Sequence, residues 1–272
     1  MMDYKYGESL MRIENISMSY GDKLVLRDVT TEIKNIVTCN NVGQVVGFLG
    51  PSGIGKSTLF NIMAGLLKPT GGQVSILDSK TPVKPGEVGV LAQNYPLFNH
   101  RTVMSNLMLA ASRVTKDPKL AKDKVVESLN EFNLVDKANL YPAELSGGQR
   151  QRVAILQQML CSQHFLLMDE PFSGLDMISI EKVGQLIQKV ANLHDLNTII
   201  ICTHDITSAA SVSDHLWMMG REKDQTGAYL PGARIVKTYD LIERGLCWTP
   251  GIITSPVFTN FVTEIKNEFR KL

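Results

Sequence analysis

Gly50-Pro-Ser-Gly-Ile-Gly-Lys-Ser-Thr58 sets three glycines, a lysine and two terminal hydroxyls in a spacing suited to holding phosphate. Gly50, Gly53 and Gly55 let the main chain curl, with Pro51, Ser52 and Ile54 between them, so that backbone N–H groups face phosphate oxygens. Lys56 would then sit on the β and γ phosphates and the Ser57 hydroxyl on Mg²⁺, while Thr58 would continue a helix whose N-terminus adds partial positive charge. A second group, Phe165-Leu-Leu-Met-Asp169-Glu170, delivers two adjacent carboxylates after four apolar residues. At the carboxyl end of a buried strand, Asp169 would hold Mg²⁺ directly or through water, and Glu170 would polarise an attacking water as general base. Taken alone, such a pair is equally a solvated corner; downstream of a phosphate loop it reads as chemistry. A third group, Ser146-Gly-Gly-Gln-Arg150, leads into a helical pattern near Gln149 and offers further N–H groups that can close on a nucleotide from a partner subunit. His204 follows an apolar strand, within reach of a γ phosphate, and Gln93 ends another, where its amide can touch Mg²⁺ or the attacking water.

The elements that must position these groups are short apolar runs bounded by turn signals: Val45 to Leu49, Val88 to Ala92, Phe165 to Met168 and Thr198 to Cys202. Helical patterns separate them, with Lys56 to Leu67 opened by the phosphate loop and Ile180, Val183, Leu186, Ile187, Val190 and Leu193 at helical spacing. The expectation is a doubly wound α/β sheet. Asn94 to Gln163 reads as an inserted helical segment, in which Lys116 to Phe132 places Leu120, Val125, Val126, Leu129 and Phe132 on one side. Met11 to Tyr20 and Val25 to Ile33 alternate as half-buried antiparallel strands do. After Gly220 the composition loosens, then Phe258, Phe261, Val262, Ile265, Phe269 and Leu272 recur as one helix face behind Pro256, either packed on the core or meeting a second copy.

Over roughly residues 11 to 220 the chain resembles an ATP-binding cassette (ABC) ATPase, the nucleotide-binding subunit of an ABC transporter. Leu145-Ser-Gly-Gly-Gln149 matches that family's signature, Ser173-Gly-Leu-Asp176 its D-loop, Gln93 its Q-loop and His204 its switch histidine. The resemblance implies a P-loop NTPase (RecA-like) core with an N-terminal antiparallel β subdomain and an inserted helical signature subdomain. Residues 1–220 would form the nucleotide-binding domain, its helical part at about 94–163, and residues 221–272 a C-terminal extension packed on or beside the core. It also implies ATP and Mg²⁺, and two cassettes stacked head to tail. Ser146, Gly147, Gly148 and Gln149 of one copy would then cover the γ phosphate held by Lys56 of the other, with Asp176 also at the nucleotide. Tyr20, before Gly21, stands where the family carries an aromatic that stacks on adenine; a tyrosine capping an edge hairpin is the alternative. Two departures stand out: the run between Glu32 and Gln44 is longer than the usual turn, and Ile155-Leu-Gln-Gln-Met-Leu160 replaces a run usually bearing Arg and Ala.

Bulk properties narrow the partners. A net charge of +1 gives no reason to expect a polyanion, so nucleic acid is not implied. Cys39, Cys161, Cys202 and Cys247 stand far apart without a CxxC pair, which argues against a zinc knuckle or a disulfide framework. Met1 to Met11 has no apolar h-region, and runs such as Ile199 to Cys202 fall far short of the roughly 20 residues that cross a bilayer. A membrane role must therefore pass through a partner. The expected function is a transport ATPase that dimerises around two MgATP and drives separate transmembrane permease subunits, as in solute importers whose ATPase is a separate chain. Such a subunit sits peripherally on the cytoplasmic face of the inner membrane, with a substrate-binding protein reached through the permease. Within importers the sequence is loosely similar to polar amino acid and to nitrate or sulfonate uptake ATPases. Tyr95, Pro96, Leu97, Phe98 and Arg101 would line the groove for a permease coupling helix, although core packing explains Leu97 and Phe98 nearly as well. A soluble ABC ATPase acting on DNA or the ribosome is the alternative, without a long coiled coil, CxxC hook or basic block in its favour. A P-loop kinase would leave the signature unused.

Overall fold

The computed structural model describes residues 4–38, 42–77, 79–92, 94–162, 164–247 and 251–272. Alternating burial along Tyr4–Tyr20 (β1) and Lys23–Thr38 (β2) gives a long antiparallel hairpin turning at Gly21, with Met11 opposite Ile33. The hairpin is longer than its sequence pattern announces, because Tyr4, Lys5 and Tyr6 pair with Thr38, Val37 and Ile36. Much of the extra run after Glu32 is thus spent extending β2, with Ile33 and Ile36 buried; residues 39–41, including Cys39, lie outside the described residues. Gln44–Leu49 (β3) starts the second sheet, while Gly71–Ile76 (β4) completes the first by pairing antiparallel to β1.

Gly89–Leu91 (β5), Phe165–Asp169 (β6), Thr198–Thr203 (β7), His215–Gly220 (β8) and Arg234–Asp240 (β9) join β3 in a sheet ordered β5-β6-β7-β3-β8-β9. Its first five strands are parallel and β9 is antiparallel to β8. Both faces of the parallel strands are covered, which is why they read as unbroken apolar runs. Alternate residues divide between two cores. Val46, Phe48, Leu167, Ile200, Cys202, Trp217 and Met219 meet the antiparallel sheet and Lys56–Met63 (α1). Val45, Leu166, Met168, Ile199 and Ile201 meet the helical side. Each such side chain contributes about 1.5 to 3 kcal/mol when fully buried.

The helical side is built from Val103–Val114 (α2), Pro118–Glu131 (α3), Gly147–Cys161 (α4) and Met177–Ala191 (α5). Ile206–Val212 (α6) and Pro256–Phe269 (α7) complete the set. A Ser, Thr or Asp side chain caps each of α2 to α7: Thr102, Asp117, Ser146, Asp176, Asp205 and Ser255. Helix α1 differs: Gly55 holds its N-cap position and no side chain caps it.

Three local expectations need correction. Helix α1 ends at Met63 rather than Leu67, because Ala64 is its C-cap, Gly65 turns left-handed at φ 70° and Leu66 is left exposed. In α3 the buried stripe is Ala121, Val125 and Leu129, followed by Phe132, while Leu120 is exposed. One residue rotates a helix by about 100°, so Leu120 cannot share that stripe. Strands β4, β8 and β9 were not expected from the apolar runs. The chain after Gly220 adds β9 to the sheet edge, and α7 covers it with Phe258, Phe261, Val262 and Ile265 packed against Leu49, Ile206, Leu216, Met218 and Tyr239. Among the described residues, no helix is long and apolar enough to cross a membrane.

Candidate functional site

Strand β3 runs into the phosphate loop, and α1 leaves it. Within the loop Lys56 Nζ donates to the carbonyls of Gly50 and Pro51 at 2.7 and 3.0 Å. Gly53 and Gly55 hold φ values of 76° and 112°. A Cβ on Gly55 would lie 3.0 Å from Val25 Cγ1 and 3.1 Å from Leu26 Cδ2, so β2 presses directly on the loop. Ser52, Gly53 and Ser57 are exposed, and Gly50, Pro51, Ile54, Gly55, Lys56 and Thr58 are buried or half-buried. The uncapped first turn of α1 keeps its N–H groups free of side-chain acceptors, the arrangement that favours an anion.

Two strands away, β6 brings the carboxylates to the same sheet edge. Asp169 pairs with Cys202 across β6 and β7, and burial pushes its carboxyl above the usual range; Glu170 adds to that push, and Lys56 opposes it. Glu170 follows with a left-handed φ of 49°, and its N–H donates to the Cys202 carbonyl at 2.8 Å. A non-glycine residue held in that region costs about 1 to 2 kcal/mol, and such strain clusters at functional sites. Both carboxylate oxygens of Glu170 are engaged. Oε1 meets His204 Nδ1 at 2.7 Å, and Oε2 accepts from Thr203 Oγ1 at 2.8 Å. The structure therefore gathers the expected Lys56, Asp169, Glu170 and His204 and adds Thr203, which sequence reasoning passed over. The signal for Thr203 was available: a hydroxyl on the last residue of a buried strand, beside His204.

The signature lies at the N-terminus of α4. Ser146 Oγ accepts from Gln149 N at 3.3 Å, and Gln149 Oε1 accepts from Ser146 N at 2.9 Å, a reciprocal cap. Gly147 and Gly148 are exposed, and a Cβ on either would meet no atom within 4 Å. Packing inside this chain does not demand glycine there. Among the described residues no hydrogen bond joins this group to the phosphate loop or to the carboxylates. Asp176 caps α5 through Ser179 N and Oγ at 2.9 and 2.8 Å, and these bonds hold its carboxyl below the usual range. The adjacent Met177 and Ile178 are 86% and 66% exposed.

Tyr20 is half exposed beside the Gly21 turn, and Gln93 lies outside the described residues. Past it, Tyr95 OH donates to the Pro171 carbonyl at 3.4 Å, and Arg150 Nε donates to the Tyr95 carbonyl at 3.4 Å. This loop thereby bridges the turn after Glu170 and the signature helix. Leu97 packs into the core while Phe98 is exposed, which separates two residues that the sequence treats alike. Buried Asn106 pins the segment, donating to the carbonyls of Phe98, Arg101 and Thr102 and accepting from Phe98 N at 2.8 Å. Among the described residues no cluster of three or more His, Cys, Asp or Glu forms a metal cage.

Residues 33–173 match the family model described as ABC transporter. Over 219 residues the chain is 35% identical to the arginine transport ATP-binding protein ArtM of Bacillus subtilis (strain 168), covering 77% of this chain and 87% of that protein. It is also 35% identical over 214 residues to a probable sulfate/thiosulfate import ATP-binding protein CysA of Chlorella vulgaris, covering 78% of this chain and 87% of the relative. A solved dimeric ATP-binding cassette, in a post-hydrolysis state bound to ADP and Pi, has a TM-score of 0.65 at 28% identity. That likeness covers 85% of this chain and 99% of the other.

Proposed function

We propose, for a chain that belongs to the ABC transporter family and is one of its ATP-binding, ATP-hydrolysing subunits, a reaction centred on Glu170. The phosphate loop and Lys56 bind the β and γ phosphates, and Tyr20 stacks on the adenine. Glu170 takes a proton from water as the water oxygen bonds to the γ phosphorus and the bond to the bridging oxygen breaks, leaving ADP and phosphate. His204 and Gln93 orient the γ phosphate and the attacking water. Ser57 and Asp169, with Gln93, would hold Mg²⁺. A hard-oxygen donor set suits that ion, and the burial that raises Asp169, with the Glu170 charge adding to it, favours a cation beside it. When bound, Mg²⁺ would neutralise charge on the β and γ oxygens.

The observation that carries this reading is the Glu170 carboxylate, in contact with His204 Nδ1 at 2.7 Å on the sheet edge that also bears the phosphate loop. Replacing Glu170 with Gln is expected to slow turnover roughly 10²- to 10⁴-fold while ATP binding persists, measured by phosphate release and by nucleotide titration. An unchanged rate would remove Glu170 from the mechanism.

A second copy completes the site in this reading. Ser146, Gly147, Gly148 and Gln149 of one cassette close over the γ phosphate held by the other, with Asp176 at the seam. The open surroundings of both signature glycines, the exposure of Met177 and Ile178, and the dimeric state of the solved relative support it. The transport and import names of the relatives support coupling to separate permease subunits in solute uptake, at the cytoplasmic face of the membrane, and weigh against action on DNA or the ribosome. Exposed Phe98, on a segment pinned by Asn106, suits the contact with a permease helix. A substrate-binding protein would reach the subunit only through that permease.

A further inference from the structure

The two oxygens of Glu170 are held in unequal ways. His204, on Oε1, has a side chain 60% exposed, so its bond is open to exchange with solvent or substrate. Thr203, on Oε2, is fully buried as the last residue of β7. Its own surroundings direct its hydroxyl. Asp205 N donates to Thr203 Oγ1 at 3.1 Å, and the Asp205 carboxylate is fixed in turn by Thr207 N and Ser208 N at 3.0 and 3.3 Å. A hydroxyl has one proton and two lone pairs. With a lone pair occupied by the Asp205 amide and χ1 restricted by the β-branch, the proton is left to point at Oε2. The backbone of Glu170 is clamped by the same strand through Cys202.

We propose that Thr203 is a positioning residue for ATP hydrolysis: it immobilises Oε2 of Glu170, so that Oε1 is the oxygen presented to the attacking water once His204 yields it. The inference rests on the reading of Glu170 as general base. Thr203 does not touch the substrate. It removes one rotation of the carboxylate, and a base whose acceptor oxygen is fixed spends more of its time aligned with the water O–H.

The test is steady-state ATP hydrolysis by the full chain carrying Thr203→Val, which removes the hydroxyl at nearly constant volume, and Thr203→Ser, which restores it. Val is expected to lower kcat about 10- to 100-fold, the effect of one hydrogen bond to a charged group, with KM changed less than about 3-fold. Ser is expected to recover most of that loss. In a Glu170→Gln background, Val is expected to slow turnover by less than about 2-fold further, because residues acting as one unit are not additive. If Val does not fold, Thr203→Ala carries the same three expectations. Wild-type kcat in the Val or Ala variant overturns the proposal. So does a Ser variant as slow as Val, or a Val effect that multiplies in full onto Glu170→Gln. A Glu170→Gln variant that keeps its rate sinks the general-base reading itself, whereas a collapsed Glu170→Gln beside a normal Thr203→Val sinks only the role of Thr203.

Discussion

Replacing Gly55 with Ala adds a contact cost to a backbone cost, and Gly53→Ala isolates the second. At Gly53, φ is 76° and a Cβ would meet nothing within 4 Å, so the penalty is that of a left-handed L-residue, about 1 to 2 kcal/mol. At Gly55, φ of 112° lies beyond the small left-handed basin, and the Cβ would press on Val25 and Leu26, both branched and the latter fully buried in β2. Strain of about 1 to 3 kcal/mol and overpacking of about 1 to 3 kcal/mol then sum to roughly 2 to 6 kcal/mol. The loop can relieve part of this only by moving away from β2, which carries its amides off the phosphate positions. Each 1.4 kcal/mol of lost phosphate contact weakens binding about tenfold. Urea unfolding of both variants and titration with a fluorescent ATP analogue measure the two effects. Gly55→Ala is expected to be at least about 1 kcal/mol less stable than Gly53→Ala, and to bind ATP at least about tenfold more weakly than wild type. Equal stabilities, or wild-type affinity in Gly55→Ala, would show that β2 does not set the shape of the loop.

Changing Ser146 to Phe removes a helix cap, costing about 1 kcal/mol, and fills the approach to Gly147 and Gly148. The monomer should still bind ATP while hydrolysis and ATP-driven dimerisation are lost, and size-exclusion with a turnover assay would expose the error if the variant hydrolyses at wild-type rate. His215, contacted by Tyr6 OH with Asp240 and Glu243 nearby, has its pKa lowered by burial, the two acids offsetting part of that shift. Below about pH 6.5 the unfolded chain therefore takes up this proton first, so stability falls as pH drops through that value toward the lower folded pKa, by at most about 1.4 kcal/mol per pH unit. His215→Gln should flatten the curve of unfolding free energy between about pH 7.5 and about pH 5; parallel curves for variant and wild type rule the linkage out.

What could be read in advance divides by where each residue finds its partner. The phosphate loop, the Asp169-Glu170 pair and the signature are read from residue type and spacing alone, because the ligand proposed for them has a fixed chemistry. Strands β3, β6 and β7 were equally plain, because burial on both faces leaves an unbroken apolar run. Strand β9 is different: it mixes exposed Lys237 and Thr238 with buried Tyr239, and only its pairing with β8 makes it a strand. The apolar face of α7 said that something would be covered, but not that Leu49 and Met218 would be underneath. The site itself shows the same division. A threonine ending a strand is ordinary β-former usage, and its place beside His204 marks Thr203 only as a neighbour of the site. What gives Thr203 its meaning is the register that sets Asp169 against Cys202, so that the next residues, Glu170 and Thr203, meet side chain to side chain. A slip of one residue in that pairing would turn Thr203 toward the opposite face. The proposed general base is thus legible one residue at a time, whereas its alignment is a property of two strands that meet only after folding.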